Sequence, residues 1–424
     1  MITEKITIAD KVNVNYIKTD KFKTNLISFD FIAPVDEKTV AFNAMIPLIL
    51  LRGCRNYPSQ AELNKRMQYL YSVDIGTKND KNGEFQMFGF DMDFIDNKYA
   101  QGTDVTGGAL DLLCDIIFEP YLENGLFSRE YLESEKINLI DTIEAEINNK
   151  SRYANSRCLE EMQKGTVYAV KRFGTVKDVE AITVESLYEA YKEALSKYPV
   201  EIYVVGDLDF SSVVNKLKER FSKIERHVIE LKKMKLSRKA KEATQLVEEQ
   251  NVNQGKLVLG FRTGKTIEDD DYYLSRIFNE IFGASPTSKL FMNVREKMSL
   301  CYYCRSIMGQ RVDILLVSSG IKFENKEIAE KAIIEQLDAI KNGEISSEEL
   351  ENAKRSLKNV YLKFYDSPSA MQSWALTRGL SSNKDLPLDE AEKIEKATIE
   401  EISEYAKGIT LDTVYFLKGE DIDG

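Results

Sequence analysis

A chain of 424 residues is too long for one ordinary core, because single cores stop growing at roughly 250–300 residues, so two domains are expected. Its 69 acidic against 58 basic side chains leave a net charge of −11, a field that draws neither nucleic acid nor an anionic membrane. The longest apolar stretch, Ala41 to Leu51, is interrupted by Asn43 and falls far short of roughly 20 residues, and no leader pattern opens the chain; the expected location is the cytoplasm, with no membrane contact.

In chain order, the first clear strand is the alternating segment ISFDFIAP at 27–34. Asp36 and Glu37 follow it as acidic caps for an amphipathic helix. From Leu63, LNKRMQYLYSVDIG reads as a helix running into a strand. Gly107 and Gly108 precede a helix and read as a loop; no GxGxxG after a strand and no GxxxxGK[ST] marks a phosphate site. A long helix ends at Asn124-Gly125, and the next, over 130–147, carries Glu130, Glu133, Glu135, Glu144 and Glu146 as a solvated acidic face. Thr183 then opens a helix that leads into the strand EIYVVGDLD. Between 222 and 248, RHVIELKKMKLSRKAK sets seven basic residues against Glu230 without interleaved aromatics, which suits a solvated linker better than a nucleic-acid patch.

The second half repeats the first. KLVLGFRT at 256–263 matches the opening strand, and Asp269 to Asp271 match the acidic caps. LFMNVREKMSLCYYC from Leu290 is again a helix running into a strand. Asn124, Gly125, Ser128, Glu130, Leu132, Glu133 and Lys136 correspond in one register to Asn342, Gly343, Ser346, Glu348, Leu350, Glu351 and Lys354. Thr398 opens the closing helix before TVYFLKGED. The expected fold is α+β: two duplicated α/β halves, each a mostly antiparallel sheet packed with helices, because strands come in consecutive groups between helical pairs. The expected boundaries are 1–225 for the first half, 226–248 for the basic linker and 249–424 for the second half.

Much chemistry is missing. The one histidine, His227, lies in the basic segment, with no nucleophile or orienting group assigned to it. A zinc site with two histidines cannot be built from this chain. Five cysteines, Cys54, Cys114, Cys158, Cys301 and Cys304, are scattered and suit a reducing compartment. Cys301 and Cys304 form a CxxC in what reads as a strand, where residues three apart point to opposite faces and cannot hold one ion. No cofactor is expected.

The ordered features resemble the pitrilysin/insulinase family of zinc metallopeptidases over about 10–420. The most specific stretch is GASPTSKLFMNVREKMSLCYY, Gly283 to Tyr303, which is similar to the family's second-half signature. The resemblance implies two duplicated halves arranged like a clam, with zinc in the first, held by an inverted HxxEH helix followed by Gly-Thr. RGCRNYPS matches the segment after that motif, so Ala44 and Leu48 stand at the histidines and Pro47 at the glutamate. Glu135 matches an acid that precedes the third ligand by seven residues, which makes Thr142 the ligand position. Arg295 and Tyr302 match an Arg-Tyr pair that family members use around bound peptide; Arg suits a substrate carbonyl, and a Tyr hydroxyl suits a tetrahedral oxyanion. Arg295 paired with a nearby acid and Tyr302 packed on a sheet face are the structural alternatives.

The resemblance thus implies a chain that is not an enzyme by itself and binds no metal. Its expected role is that of a non-catalytic subunit that lends Arg295 and Tyr302 to a homologous, zinc-bearing HxxEH partner acting on a peptide substrate. The alternative is a peptide- or protein-binding scaffold of the same fold without such a partner; a homodimer is a further assembly to be distinguished. KTDKFKTNLISF, LLRGCRNYPS and RYANSRCLEEMQKG carry a likeness to inactive-peptidase proteins of Gram-positive bacteria associated with aminopentanol modification of elongation factor P.

Overall fold

The computed structural model describes residues 1–233 and 242–419; residues 234–241 of the expected linker lie outside the described residues. The first half contains β1 (Glu4–Ala9), β2 (Val12–Lys18), β3 (Thr24–Pro34), α1 (Val40–Leu50), α2 (Gln60–Tyr69), β4 (Asp74–Asn82), β5 (Phe85–Ile95), α3 (Val105–Phe118), α4 (Arg129–Asn148), α5 (Lys150–Met162), α6 (Val176–Glu180), α7 (Val184–Lys197), β6 (Val200–Gly206) and α8 (Phe210–Phe221). The second contains β7 (Thr244–Gln250), β8 (Gly255–Arg262), α9 (Tyr272–Asn279), β9 (Cys301–Met308), β10 (Ile314–Ile321), α10 (Lys326–Lys341), α11 (Ser347–Lys363), α12 (Pro368–Gly379), α13 (Pro387–Lys396), α14 (Ile399–Lys407) and β11 (Thr410–Gly419).

The duplication is written into the sheets. The first has the order β1-β2-β6-β3-β5-β4 and the second β7-β11-β8-β10-β9, the same order less the outermost strand. Each has one parallel pair, β2 with β6 and β7 with β11, and is otherwise antiparallel. The matching sequence positions do matching work. Ser346 caps α11 by accepting from Glu349 N at 3.1 Å, one residue before the helix begins, where Ser128 precedes α4. Lys136 pairs with Glu133 at 3.1 Å and Lys354 with Glu351 at 3.9 Å. Gly125 and Gly343 take φ of 84° and 80°, left-handed turns that glycine enters without strain. Thr183 and Thr398 each accept a backbone N–H at 3.2 Å to cap α7 and α14.

By contact, the chain forms two compact units that a single cut near 225 does not separate. One comprises 1–144, 170–233 and 365–377; the other comprises 145–169, 378–419 and the described part of 234–364. The cause lies in which sheet each short helix covers. In the second unit Ala154, Cys158 and Met162 of α5 are buried with Val258, Ile314, Leu316, Tyr415 and Leu417. Tyr153 and Tyr415 both donate to Glu248, and Arg157 pairs with it at 3.4 Å. Much of RYANSRCLEEMQKG is therefore a docking face: Tyr153, Ala154, Arg157, Cys158, Leu159 and Met162. Gly260 of β8 admits that helix, because a Cβ there would meet Met162 Sδ at 2.3 Å and Cys158 Sγ at 3.1 Å. Gly260→Val should cost about 1–3 kcal/mol by overpacking, read as a lower urea midpoint at unchanged slope. In the first unit the equivalent helix, α12, places Gln372 so that its amide donates to Asp30 at 3.2 Å.

A buried polar group in the second unit carries a pH dependence. Arg262 donates to Asp412 at 2.9 Å and to Asp313 at 3.4 Å. Burial pushes the Asp313 carboxyl up to about 6, against the lowering pull of Arg262. The folded chain then keeps a proton that the unfolded chain releases near the usual carboxylate range, so this group's stabilisation is full below about pH 4 and is lost as pH rises through about 6. Asp313→Asn should flatten the stability profile in that window, measured by urea unfolding at stepped pH.

Two local expectations are corrected. Asp36 and Asp271 make no side-chain caps: α1 is preceded by Thr39, Asp36 instead accepts from Lys38 N at 2.8 Å, and Asp271 pairs with Lys265 at 2.9 Å. Gly107 and Gly108 are not in a loop but in the first turn of α3, where Asp104 accepts from Gly107 N at 2.9 Å. Asp104 satisfies an N–H that no earlier helical carbonyl can reach. Among the described residues no helix is long and apolar enough to cross a membrane.

Candidate functional site

α1, VAFNAMIPLIL, is apolar on nearly every side and buried over most of its length. Pro47 lies inside it, leaving the Asn43 carbonyl without its helical N–H, yet the helix continues and Leu51 N donates to Pro47 O at 3.2 Å. The Asn43 side-chain amide donates to Gln86 at 2.8 Å; Gln86 donates to Val40 O at 3.0 Å and to Asn79 at 2.9 Å; Asn79 donates to Arg172 O at 2.9 Å. This buried ladder fixes α1 against β5, β4 and the segment ahead of α6. Just past α1, Arg52 pairs with Glu135 at 3.2 Å and donates to Ser134 at 2.6 Å, which fixes α4.

The result is one pocket of about 220 Å³ lined by Ala44, Pro47 and Leu48 of α1, Asn138, Leu139 and Thr142 of α4, Thr77, Lys78 and Asn79 of β4, and Phe173. The positions that the family resemblance assigned to metal binding thus stand around a single space. Their chemistry does not fit zinc: Ala44, Pro47 and Leu48 have no donor atom on their side chains, and the Thr142 hydroxyl donates back to Asn138 O of its own helix at 2.8 Å. Glu135, the neighbouring acid, is committed to Arg52. Among the described residues no three His, Cys, Asp or Glu are grouped to hold a metal. Lys78 supplies no free charge either, because its ammonium lies 2.8 Å from Asp30, 2.9 Å from Asp91 and 2.8 Å from Ser28 Oγ. Burial lowers its pKa, but the two carboxylates outweigh that and hold it above the usual lysine range.

In the second unit, Glu280–Ala284 and Leu290–Lys297 are wound as π-helix, a rare, wide form that is frequent at functional sites. Most of the signature packs. Gly283 leaves no room for a Cβ beside Leu290 and Ser306, Leu290 and Val294 are buried, and Lys289 pairs with Glu349 at 2.9 Å. Arg295 and Tyr302 stay at the surface. Arg295 donates to the Tyr302 carbonyl at 3.1 Å, pairs with Glu296 at 3.1 Å and lies 4.4 Å from the Phe291 ring centroid. Tyr302 is 62% exposed and is the extra residue of a β-bulge, since Gly320 faces Tyr303 while Ile321 faces Cys301. The bulge also corrects the expectation for Cys301 and Cys304, which are both buried with their side chains hydrogen-bonded to each other instead of pointing to opposite faces. His227 is exposed, 3.2 Å from Glu225.

Sequence reasoning reached the start of β4 at DIG but missed Thr77, Lys78 and Asn79 as a pocket wall, and it missed Phe173. TKNDKN has no apolar alternation to carry the strand on, and Phe173 joins the pocket from a loop far along the chain.

A duplicated two-sheet chain whose metal positions hold no donor set has a metallopeptidase-like fold without the catalytic residues. Residues 181–357 match the family described as Peptidase M16 inactive domain. Over 97% of its length the chain is 34% identical to the "Probable inactive metalloprotease YmfF" of Bacillus subtilis (strain 168), covering 96% of that protein. It superposes on a conserved protein from Enterococcus faecalis V583 with a TM-score of 0.93 and 29% identity, over 99% of both chains. A structure of a peptidase M16 inactive domain from Pseudomonas fluorescens superposes at 0.80 with 17% identity, over 99% of this chain and 98% of that one, and shows the fold. The chain belongs to the M16, pitrilysin/insulinase-like metallopeptidase family, as a non-catalytic member.

Proposed function

We propose that this chain is the non-catalytic subunit of a two-chain zinc metallopeptidase in the cytoplasm, completing the peptide site of a homologous partner that carries HxxEH. The observation that carries the proposal is an asymmetry of loss and retention. The pocket at Ala44, Pro47, Leu48 and Thr142 has no metal donor set, while Arg295, half-buried, and Tyr302, exposed, remain together at the surface. In the complex the partner's HxxEH motif would hold zinc, which would supply Lewis-acid chemistry to the scissile carbonyl, and its glutamate would take the proton of the attacking water. Arg295 steadies the peptide, and the Tyr302 hydroxyl donates to the developing oxyanion. The biological setting we propose is elongation factor P modification; the stretches KTDKFKTNLISF and LLRGCRNYPS support it, whereas RYANSRCLEEMQKG is accounted for in good part by docking.

The test is pull-down of the native chain followed by a peptide-cleavage assay on the reconstituted pair. One homologous HxxEH chain should be recovered, and cleavage should need both chains. Cleavage by the partner alone at the full rate would contradict the proposal. A second reading, a peptide-binding scaffold that acts without a peptidase, is favoured by the pocket itself; it predicts peptide binding and no HxxEH chain in the pull-down.

A further inference from the structure

We propose that the pocket between α1, β4 and α4 is a side-chain site, taking one leucine- or phenylalanine-sized apolar side chain of an extended peptide laid along the outer edge of β4. This rests on the peptide-recognising reading above and names the class of peptide. Volume sets the scale. About 220 Å³ is smaller than the roughly 300–1,000 Å³ of sites that hold whole small molecules, yet larger than an apolar cavity of about 150 Å³ that holds benzene. One side chain is the matching size.

Chemistry sets the class. Ala44, Pro47, Leu48, Leu139 and Phe173 give the pocket an apolar wall. Most polar groups of the lining are already engaged: the Asn79 amide on Arg172 O and Gln86, the Lys78 ammonium on Asp30 and Asp91, and the Thr142 hydroxyl on Asn138 O, while Thr77 adds a neutral hydroxyl. A charged side chain entering there would lose hydration without gaining a free opposite charge, whereas an aliphatic or aromatic one gains burial. Geometry sets the approach. β4 is the terminal strand of its sheet and pairs only with β5 among the described residues, so its other edge offers backbone groups to an extended chain. Side chains on a paired strand alternate, so one register brings a single guest residue to the pocket beside Thr77 and Asn79. A peptide held in this way would have a side chain where a metallopeptidase holds its metal.

The test uses fluorescein-labelled octapeptides of Thr, Ser and Gln with one guest residue at the fourth position, Leu, Phe, Ser or Asp, titrated by anisotropy against the full chain. The Leu and Phe peptides should bind about ten- to hundredfold tighter than the Ser and Asp peptides. Thr142→Phe, which fills the pocket from an exposed helix position, should remove that preference, bringing the Leu and Phe peptides to the affinity of the Ser peptide for the same variant. Equal affinity for all four guests, or a preference that survives Thr142→Phe, overturns the side-chain site and leaves the peptide-recognising reading standing. Binding of none of the peptides overturns both.

Discussion

The variant Ala44→His/Pro47→Glu/Leu48→His/Thr142→Glu should bind one zinc per chain with micromolar or better affinity, about 8 kcal/mol of binding free energy. All four positions already line one pocket, and two histidines at i and i+4 share a helical face. The scaffold is therefore held, and only the donor atoms are missing. Replacing Pro47 also restores a backbone N–H within reach of Asn43 O, so the helix should tolerate the change. The pocket is partly apolar, with Leu139 and Phe173 in its wall, and an apolar shell of that kind limits water around a bound metal. Isothermal titration with zinc checks the outcome. Failure of the folded variant to bind would mean that the register linking Thr142 to α1 is wrong.

The second large effect concerns the complex. In a reconstituted pair, Tyr302→Phe in this chain should lower the partner's kcat about hundredfold or more, as for loss of one oxyanion donor. Arg295→Ala should mainly raise KM, because the guanidinium holds ground state and transition state alike. Both residues are at the surface, so the folded state loses little; Arg295→Ala gives up its pair with Glu296 and its bond to the Tyr302 carbonyl. Steady-state kinetics separates the two effects. Unchanged rate and KM in both variants would leave Arg295 as a local brace and Tyr302 as an exposed strand residue.

What the sequence disclosed and what it hid have physical causes. The repeated Asn-Gly turn, Ser cap and Glu-Lys pair were legible because each is a local device acting within about five residues. RGCRNYPS and Glu135 carry the register that the resemblance implies for Ala44, Pro47, Leu48 and Thr142, and these four residues line one pocket. The docking of α5 in the second unit was not legible, because the partners of Cys158 and Met162 lie about a hundred residues or more away at Val258, Gly260 and Leu316. Nor was the facing of Cys301 and Cys304. One inserted residue in a strand reverses every later side chain, and the bulge at Tyr302 is set by pairing with β10.

The central claim is that this M16 chain has the fold of a peptidase without its metal chemistry. Elemental analysis of the purified wild-type chain, with a peptide-cleavage assay on the same sample, tests it most directly. The account predicts far less than one zinc per chain and no cleavage above the rate without protein. One zinc per chain together with cleavage that a chelator abolishes would contradict it.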